Sequence, residues 1–302
     1  TWDKTSTVTL TGGSDDTAVA STADIISAFE LMTNTDEVEA QLLINGGWTD
    51  PAVQQAMDSV AIARDDAVAI LDVPEMMNDD VSAMVSYVDT TLMLNSHLSG
   101  IYGGWLRVYD QYNDREVEIP PSGDVAARFV QTVEVAERWD APAGLRRGII
   151  PNTLGVTKIF DEGERDLLYT NRINPVTTIA NTAAVVWGQK TLLNATSAIN
   201  RFNVVNSILW MQGRMSEALR PFVFEANTQF TRDSVSYLLS SFLENIQTRG
   251  GLYDYYVDMS QNTPEVIDRN EMLVNVHLQV VKSSEFIRLN LIIDRTGISY
   301  GN

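Results

Sequence analysis

Residues 41–71 read QLLINGGWTDPAVQQAMDSVAIARDDAVAIL, and this stretch places two apolar runs on either side of a helical pattern. QLLI at its start predicts a short strand. Asp50 and Pro51 form the usual beginning of a helix, a capping carboxylate followed by proline at the first helical position, and the helix is predicted to end near Arg64. AVAIL at 67–71 is apolar without interruption, which is typical of a strand buried in a parallel sheet. The stretch therefore predicts a β-α-β unit.

The same alternation continues on both sides of this unit. Toward the C-terminus, a helix is predicted from Asn78 to about Leu94, followed by a fourth strand, WLRVY, at 105–109. Toward the N-terminus, VTL at 8–10 predicts a strand, and Ser21 or Thr22 can cap a helix that runs to about residue 31. The order β-α-β-α-β-α-β indicates a mainly parallel sheet with helices on its faces.

The remaining 200 residues are mixed. A helix at 124–138, capped at Ser122, precedes an irregular region, a short helix at 161–171 and strands at 173–179 and 182–188. Two long helices are predicted at 200–219 and 231–248, the second capped by Thr231 and ended by Gly250 and Gly251. Strict alternation at 272–281 and 285–293 predicts a terminal β-hairpin. We therefore predict an α/β class, with a layered β-α-β domain at 1–140 and an α/β domain at 141–302.

Charge and composition exclude several function classes. The chain has 302 residues and a formal net charge of −19, and its first 100 residues contain 17 acids and only two bases. Such a chain lacks the cationic surface that direct binding to nucleic acid requires, and anionic membranes should repel it. No apolar run is long enough to predict a transmembrane helix, and the first residues do not resemble a signal peptide.

Known catalytic and cofactor motifs are absent from the sequence. There is no glycine-rich dinucleotide or phosphate loop, no Gly-x-Ser-x-Gly motif, no cysteine, and no pair of histidines at zinc-binding spacing. Carboxylates at residues 72–80 leave open a divalent cation site or a carboxylate-based α/β hydrolase, although their spacing does not match an EF-hand. A group of tryptophans and tyrosines could form a sugar-binding platform, but core packing is the favoured interpretation. We predict no catalytic residue, metal or cofactor.

Several strings resemble one protein family, in the same order and over nearly the whole chain. The strongest of these strings is RINPVTTIANTAAVVWGQKTL at 172–192, and the others lie at 10–16, 67–74, 119–144, 222–255 and 285–297. With these strings the chain resembles contractile-tail sheath proteins of bacteriophages and related injection machines. The chain departs from the family around residues 201–205, where family members often have an arginine-rich string.

The resemblance implies a structural subunit of the virion tail sheath, assembled in the host cytoplasm. Such a subunit polymerises helically with copies of itself around the tail tube, contacts baseplate and tail terminator proteins, and contracts to drive the tube through the host envelope for genome ejection. The chain would correspond to the core and C-terminal region of a subunit, without the N-terminal arm. The resemblance implies, as an alternative, a sheath from a bacteriocin or secretion-type contractile device.

Two sets of residues are candidate interaction sites by analogy with the family. The apolar face of the last predicted strand should pair with a neighbouring subunit by strand exchange, because an unpaired strand edge can accept another strand. The helix at 231–248 is the candidate tube-facing element, with arginines near its two ends. The strand-exchange residues are Ile287, Leu289, Leu291 and Ile293, and the tube-facing candidates are Arg232 and Arg249.

Overall fold

The computed structural model describes residues 12–13, 20–179 and 183–285. The chain divides into two compact units, Thr1–Val223 and Phe224–Asn302. This division does not coincide with the domain boundary predicted after residue 140. The predicted boundary concerns the domains of a sheath subunit, and it stays a prediction.

The first unit contains a five-stranded mixed sheet and a three-stranded antiparallel sheet. Within the described residues its strands are β1 (Leu42–Ile44), β2 (Val68–Asp72), β3 (Ser99–Gly103), β4 (Leu106–Asp110), β5 (Arg115–Ile119), β6 (Gly155–Val156), β7 (Ile173–Thr178) and β8 (Ala184–Val186). The larger sheet has the order β1-β2-β3-β7-β8, in which β1, β2, β3 and β7 pair in parallel and β8 is antiparallel. The predicted α/β class with a mainly parallel sheet is confirmed.

Helices connect and cover these strands. In the described part of the first unit they are α1 (Thr22–Glu30), α2 (Pro51–Arg64), α3 (Val81–Ser86), α4 (Ser122–Val135), α5 (Gly144–Arg147), α6 (Glu162–Thr170) and α7 (Phe202–Leu219). The start of α2 follows its sequence signal, since the Asp50 carboxylate accepts a hydrogen bond from the Ala52 amide at 2.9 Å. α1 begins with a capping box between Ser21 and Asp24, which satisfies amides that have no partner inside a helix.

The core lies around β2 and β3, whose residues are all buried. Phe202 at the start of α7 is also fully buried, with its ring 5.4 Å from that of Phe129 and 6.4 Å from that of Tyr102. β3 is absent from the sequence prediction because its sequence, SGIYG, contains two glycines. Gly100 is required there, since a Cβ atom would lie 2.1 Å from Phe202 Cε2.

The predicted fourth parallel strand at 105–109 is wrong in its placement. β4 covers residues 106–110 but leaves the main sheet and pairs antiparallel with β5 and β6. The chain turns away at Gly104, whose φ of +106° favours glycine, and Asn78 accepts hydrogen bonds from the Gly104 and Trp105 amides at 2.9 and 3.1 Å. The true partner that follows β3 in the sheet is β7, 70 residues later in the chain.

Three helix boundaries also differ from the predictions. The predicted helix at 78–94 begins later, capped by Asp80, and changes after α3 into a π-helical segment, Tyr87–Leu92. Ser122 is not a cap but the first residue of α4, because its hydroxyl donates a hydrogen bond to the buried Asp72 carboxylate. In the second unit, Thr228 caps the long helix in place of Thr231.

The second unit consists of a long helix and a two-stranded sheet. Its described elements are α8 (Gln229–Thr248), β9 (Leu252–Asp258), α9 (Pro264–Asp268) and β10 (Asn275–Val280). β9 and β10 are antiparallel, with Val276 opposite Val257 and Leu278 opposite Tyr255. The second strand of the predicted terminal hairpin, residues 285–293, lies almost entirely outside the described residues.

Candidate interaction surfaces

The β9–β10 sheet has two different faces. Tyr255 and Val257, with Val276 and Leu278 opposite them on β10, are half-buried, whereas Asp254, Tyr256, His277 and Gln279 are exposed. α8 packs against β9 through a stripe at helical spacing, which keeps the stripe away from water. The buried residues of this stripe are Val235, Leu239, Leu243 and Ile246. His277 lies on the exposed face, and its ring stacks on that of Tyr256 with centroids 6.0 Å apart.

Both outer edges of the β9–β10 sheet are free of strand partners within residues 224–285. β9 pairs only with β10 in that part of the chain, so each strand presents one row of backbone N–H and C=O groups. A two-stranded sheet is marginally stable by itself, and an exposed edge is a template for a further strand. The sheet is therefore a candidate surface for strand addition. The predicted exchange residues Ile287, Leu289, Leu291 and Ile293 lie outside the described residues.

The two tube-facing candidates lie at opposite ends of α8 and are not brought together. They are 17 residues apart, which corresponds to about 25 Å at 1.5 Å per residue. Arg232 is half-buried and donates hydrogen bonds to the Asn227 Oδ1 and Gln229 Oε1 atoms at 2.8 and 2.9 Å. Its guanidinium group thus holds the turn that precedes α8. Arg249 is exposed at the other end, just after the last residue of the helix.

Exposed aromatic side chains on α8 are a feature that sequence reasoning missed. Phe230 and Tyr237 are 81% and 78% exposed, and their spacing of seven residues places them on one face of the helix. Phe224, at the start of the unit, is fully exposed and has a φ of +73°. Exposed aromatic residues grouped in this way are typical of interaction surfaces. The spacing of Phe230 and Tyr237 relative to the apolar stripe could have revealed them.

The aromatic side chains that were interpreted as core residues are only partly so. Tyr253 and Tyr256 are more than half exposed on β9, and Trp187 is also exposed. The core interpretation is therefore wrong for these three residues, whose side chains are exposed. Trp210 on α7 is half-buried, and the guanidinium group of Arg138 lies 5.7 Å from its ring centroid.

The carboxylates at residues 72–80 do not form a common site. Asp72 is fully buried at the end of β2, where its carboxylate accepts hydrogen bonds from the Ser122 amide, the Ser122 hydroxyl and the Gly47 amide at 2.8, 2.7 and 3.1 Å. Burial raises its pKa to about 6, and these hydrogen bonds lower it in part. Asp80 caps α3, whereas Glu75 and Asp79 point into solvent. Asp72 thus ties β2 to α4.

The described residues offer neither a cluster of metal ligands nor a helix that could span a membrane. No group of three or more histidine, aspartate or glutamate side chains is placed to hold a metal ion among these residues. The Ser96 hydroxyl oxygen accepts a hydrogen bond from the Leu98 amide at 3.1 Å. No described helix is both long enough and apolar enough to cross a membrane.

Family models match almost the whole chain. Residues 18–192 match the model described as "Phage tail sheath protein central domain", and residues 194–294 match the "Phage tail sheath C-terminal domain". Tail sheath proteins of Enterobacteria phage T4 and Vibrio phage KVP40 are 30% and 31% identical over 97% and 96% of the chain. These matches cover 48% and 47% of the relatives, so the chain spans about half their length.

Solved structures share the fold at lower sequence identity. A sheath complex of the extracellular contractile injection system PVC, in its contracted state, has a TM-score of 0.73 at 21% identity, with 91% of this chain and 81% of that chain covered. The helical sheath of the anti-feeding prophage AFP, also contracted, has a TM-score of 0.72 at 21% identity, with 90% and 74% covered. A chain from the AFP baseplate structure has a TM-score of 0.71.

Proposed function

The chain belongs to the phage tail sheath family, and from this premise we propose that it is part of a contractile sheath subunit. The subunit polymerises helically around a tail tube in the virion, contacts the baseplate and the tail terminator, and contracts to drive the tube through the host envelope for genome ejection. It is assembled in the host cytoplasm. The proposal assigns no catalytic residue, metal or cofactor to the chain, and no contact with nucleic acid or membrane.

The β9–β10 sheet is the observation that carries this proposal. Its apolar side is held by α8, while its outer edges have no strand partner among residues 224–285. The alternating sequence at 285–293 predicts the matching element, a strand with one apolar face. Donation of this strand to the sheet of another copy would link subunits through backbone hydrogen bonds. Such links keep subunits connected while their bodies change packing, as contraction between two stable lattices requires.

We propose α8 as the helix that contacts the tail tube, mainly through its exposed aromatic face and less through its arginines. Arg232 and Arg249 remain candidates for tube contacts, and screened surface charges are suitable where the sheath must release the tube. Because Arg232 is engaged by Asn227 and Gln229, we assign the larger part of the contact to the face bearing Phe230 and Tyr237.

A bacteriophage source is favoured over another contractile device. The phage tail sheath relatives are 30% and 31% identical to the chain, whereas the PVC and AFP sheath structures are 21% identical. The carboxylate-based hydrolase has no comparable support, because Asp72 is fully buried and Asp80 is occupied as a helix cap.

Strand exchange is tested with two matched double substitutions in the longest form of the subunit that its gene encodes. Leu289→Asp with Leu291→Asp places two charges on the apolar face, and Asn290→Asp with Ile292→Asp places two on the opposite face. Negative-stain electron microscopy should show hollow helical tubes for the unmodified subunit and the control variant. The leucine variant should remain folded by circular dichroism but monomeric. Tubes from the leucine variant would refute strand exchange, and an unmodified subunit that is monomeric at every salt concentration would refute the sheath proposal.

A further inference from the structure

Three arginines line one groove on the first unit of this acidic chain. The groove has a volume of about 350 Å³ and lies along the second half of α4 and the α5 region. We call it the arginine groove and define it by Arg128, Arg146 and Arg147, with Val135 and Ile149 exposed in its wall. In a chain with 40 acidic and 21 basic residues, three arginines in one groove form a local concentration of positive charge.

The arginines of this groove are incompletely neutralised. Arg128 donates hydrogen bonds to Gln131 and to the Ile149 carbonyl oxygen, and its Nε atom is buried without an acceptor. Arg147 has one carboxylate partner, Asp140, at 3.5 Å. Arg146 is exposed and has no ion-pair partner in the part of the chain that the structure describes. Burial raises the pKa of Asp124 and the charge of Arg128 lowers it, so two carboxylates, Asp124 and Asp140, act on the three guanidinium groups.

The chemistry of the groove favours a ligand that carries carboxylates. Guanidinium groups present paired donors in a planar arrangement that matches a carboxylate, and charged hydrogen bonds of this kind are stronger than neutral ones. The exposed apolar side chains in the wall suit a polypeptide segment better than a free anion. A short acidic loop of a protein fits both properties.

The chain itself contains a suitable acidic loop. Residues 34–39 read NTDEVE, and Asp36, Glu37 and Glu39 are all exposed. None of these three carboxylates forms an ion pair with another described residue. They border a different groove in which Arg138, Arg214 and Arg220 also lie, but that groove remains open, with a volume of about 660 Å³. Asp66 nearby pairs with Arg64, whereas the three loop carboxylates lie within four successive positions and are exposed together.

We propose that the arginine groove binds the carboxylates of residues 34–39 of a second copy of this chain. The contact is an additional intersubunit surface, separate from strand exchange, and it rests on the proposed function because it requires copies to lie side by side. Each exposed ion pair contributes little, but a helical polymer repeats the contact at every subunit.

Cross-linking between two single-cysteine variants tests the contact, because the chain has no cysteine of its own. Val135→Cys labels the groove and Thr35→Cys labels the loop, and both positions are exposed. A short bismaleimide reagent should join the two variants faster than it joins Thr35→Cys to Tyr112→Cys, a control at an exposed hairpin. Adding Arg146→Glu to the groove variant should lower the initial rate about five-fold, as loss of a surface ion-pair contact does.

Charge exchange and a control substitution complete the test. Arg115→Glu makes the same change of charge at an exposed position outside the groove and should leave the rate unchanged. Asp36→Lys with Glu37→Lys in the loop variant should restore cross-linking to the Arg146→Glu groove variant. Three results would overturn the proposal. Val135→Cys and Tyr112→Cys could cross-link to Thr35→Cys at equal rates, or Arg115→Glu could lower the rate as much as Arg146→Glu. The third is failure of the lysine variant to restore the rate. Tubes that still form in microscopy would then leave the sheath function intact.

Discussion

The buried carboxylate of Asp72 makes the stability of the first unit depend on pH in an unusual direction. It lies at the end of β2 and is fully buried, and its three hydrogen-bond donors come from Ser122 and Gly47. Burial raises its pKa from 3.8 to about 6. Because the pKa in the folded state lies above that in the unfolded state, the stabilising contribution is fully present below pH 3.8. It is lost as the pH rises through 6.

The size of this effect follows from the difference between the two pKa values. A difference of about two units corresponds to about 3 kcal/mol, at 1.36 kcal/mol per unit. Asp72→Asn removes the titration while nearly preserving the shape of the side chain. The asparagine amide group can donate to the Ser122 hydroxyl but faces the Gly47 N–H group, so one hydrogen bond is lost at every pH, at about 1 kcal/mol. The pH-dependent part is therefore separable from this constant cost.

Urea unfolding of the chain and of the Asp72→Asn variant between pH 4 and 7 measures both parts. Relative to the variant, the unmodified chain should lose about 2.4 kcal/mol of unfolding free energy across this range, since part of the full effect lies below pH 4. Carboxylates elsewhere titrate in both proteins and cancel in the difference. As a control, the difference in unfolding free energy between the unmodified chain and Asp79→Asn, a substitution at an exposed position, should not change in this way with pH. A constant difference between the chain and Asp72→Asn over the whole range would show that burial does not raise this pKa.

Two further predictions concern the backbone and the surface of α8. Gly104→Ala should prevent stable folding of the first unit, because φ is +106° and the new Cβ would lie 2.0 Å from the Val176 carbonyl oxygen. Gly213→Ala, in open space on α7, should instead raise the free energy of unfolding by about 0.5–1 kcal/mol, as measured by thermal unfolding. Phe230→Ser with Tyr237→Ser should leave thermal stability within about 0.5 kcal/mol, as exposed substitutions do, yet reduce co-sedimentation with purified tail tubes. Unchanged co-sedimentation would remove that face from the proposed tube contact.

Local signals predicted many elements because the responsible residues are adjacent in sequence. The cap and proline of α2 and the uninterrupted apolar run of β2 depend on neighbours within a few positions. The strands β7 and β8 were predicted for the same reason. The pairing of β7 with β3 was not predicted, because the two strands lie some 70 residues apart in the sequence.

The errors arise where distant contacts override local preference. β3 contains two glycines that disfavour a strand, but it pairs with β2 and β7, and the ring of Phe202, a hundred residues later, occupies the space beside Gly100. Ser122 looks like a helix cap, but its hydroxyl is used by Asp72. The interaction surfaces were predicted only in part for the same reason. The sequence indicated α8 and the terminal strand from their local periodicity. The open sheet edges and the arginine groove depend on which elements contact each other, and periodicity carries no information about such contacts.

The distribution of charge explains how such an acidic subunit could assemble with copies of itself. The first 100 residues carry a net charge of −15, and the remaining 202 carry only −4. Repulsion between copies is therefore concentrated in one part of the chain, and it acts over about 10 Å at 0.1 M salt. Strand addition at the β9–β10 sheet lies outside that part and depends on backbone hydrogen bonds. The arginine groove also lies outside it, and it gives the acidic loop of a second copy a place of opposite charge. Strand addition would leave the acidic region of each copy in solvent, and the groove would place its loop at residues 34–39 against opposite charge.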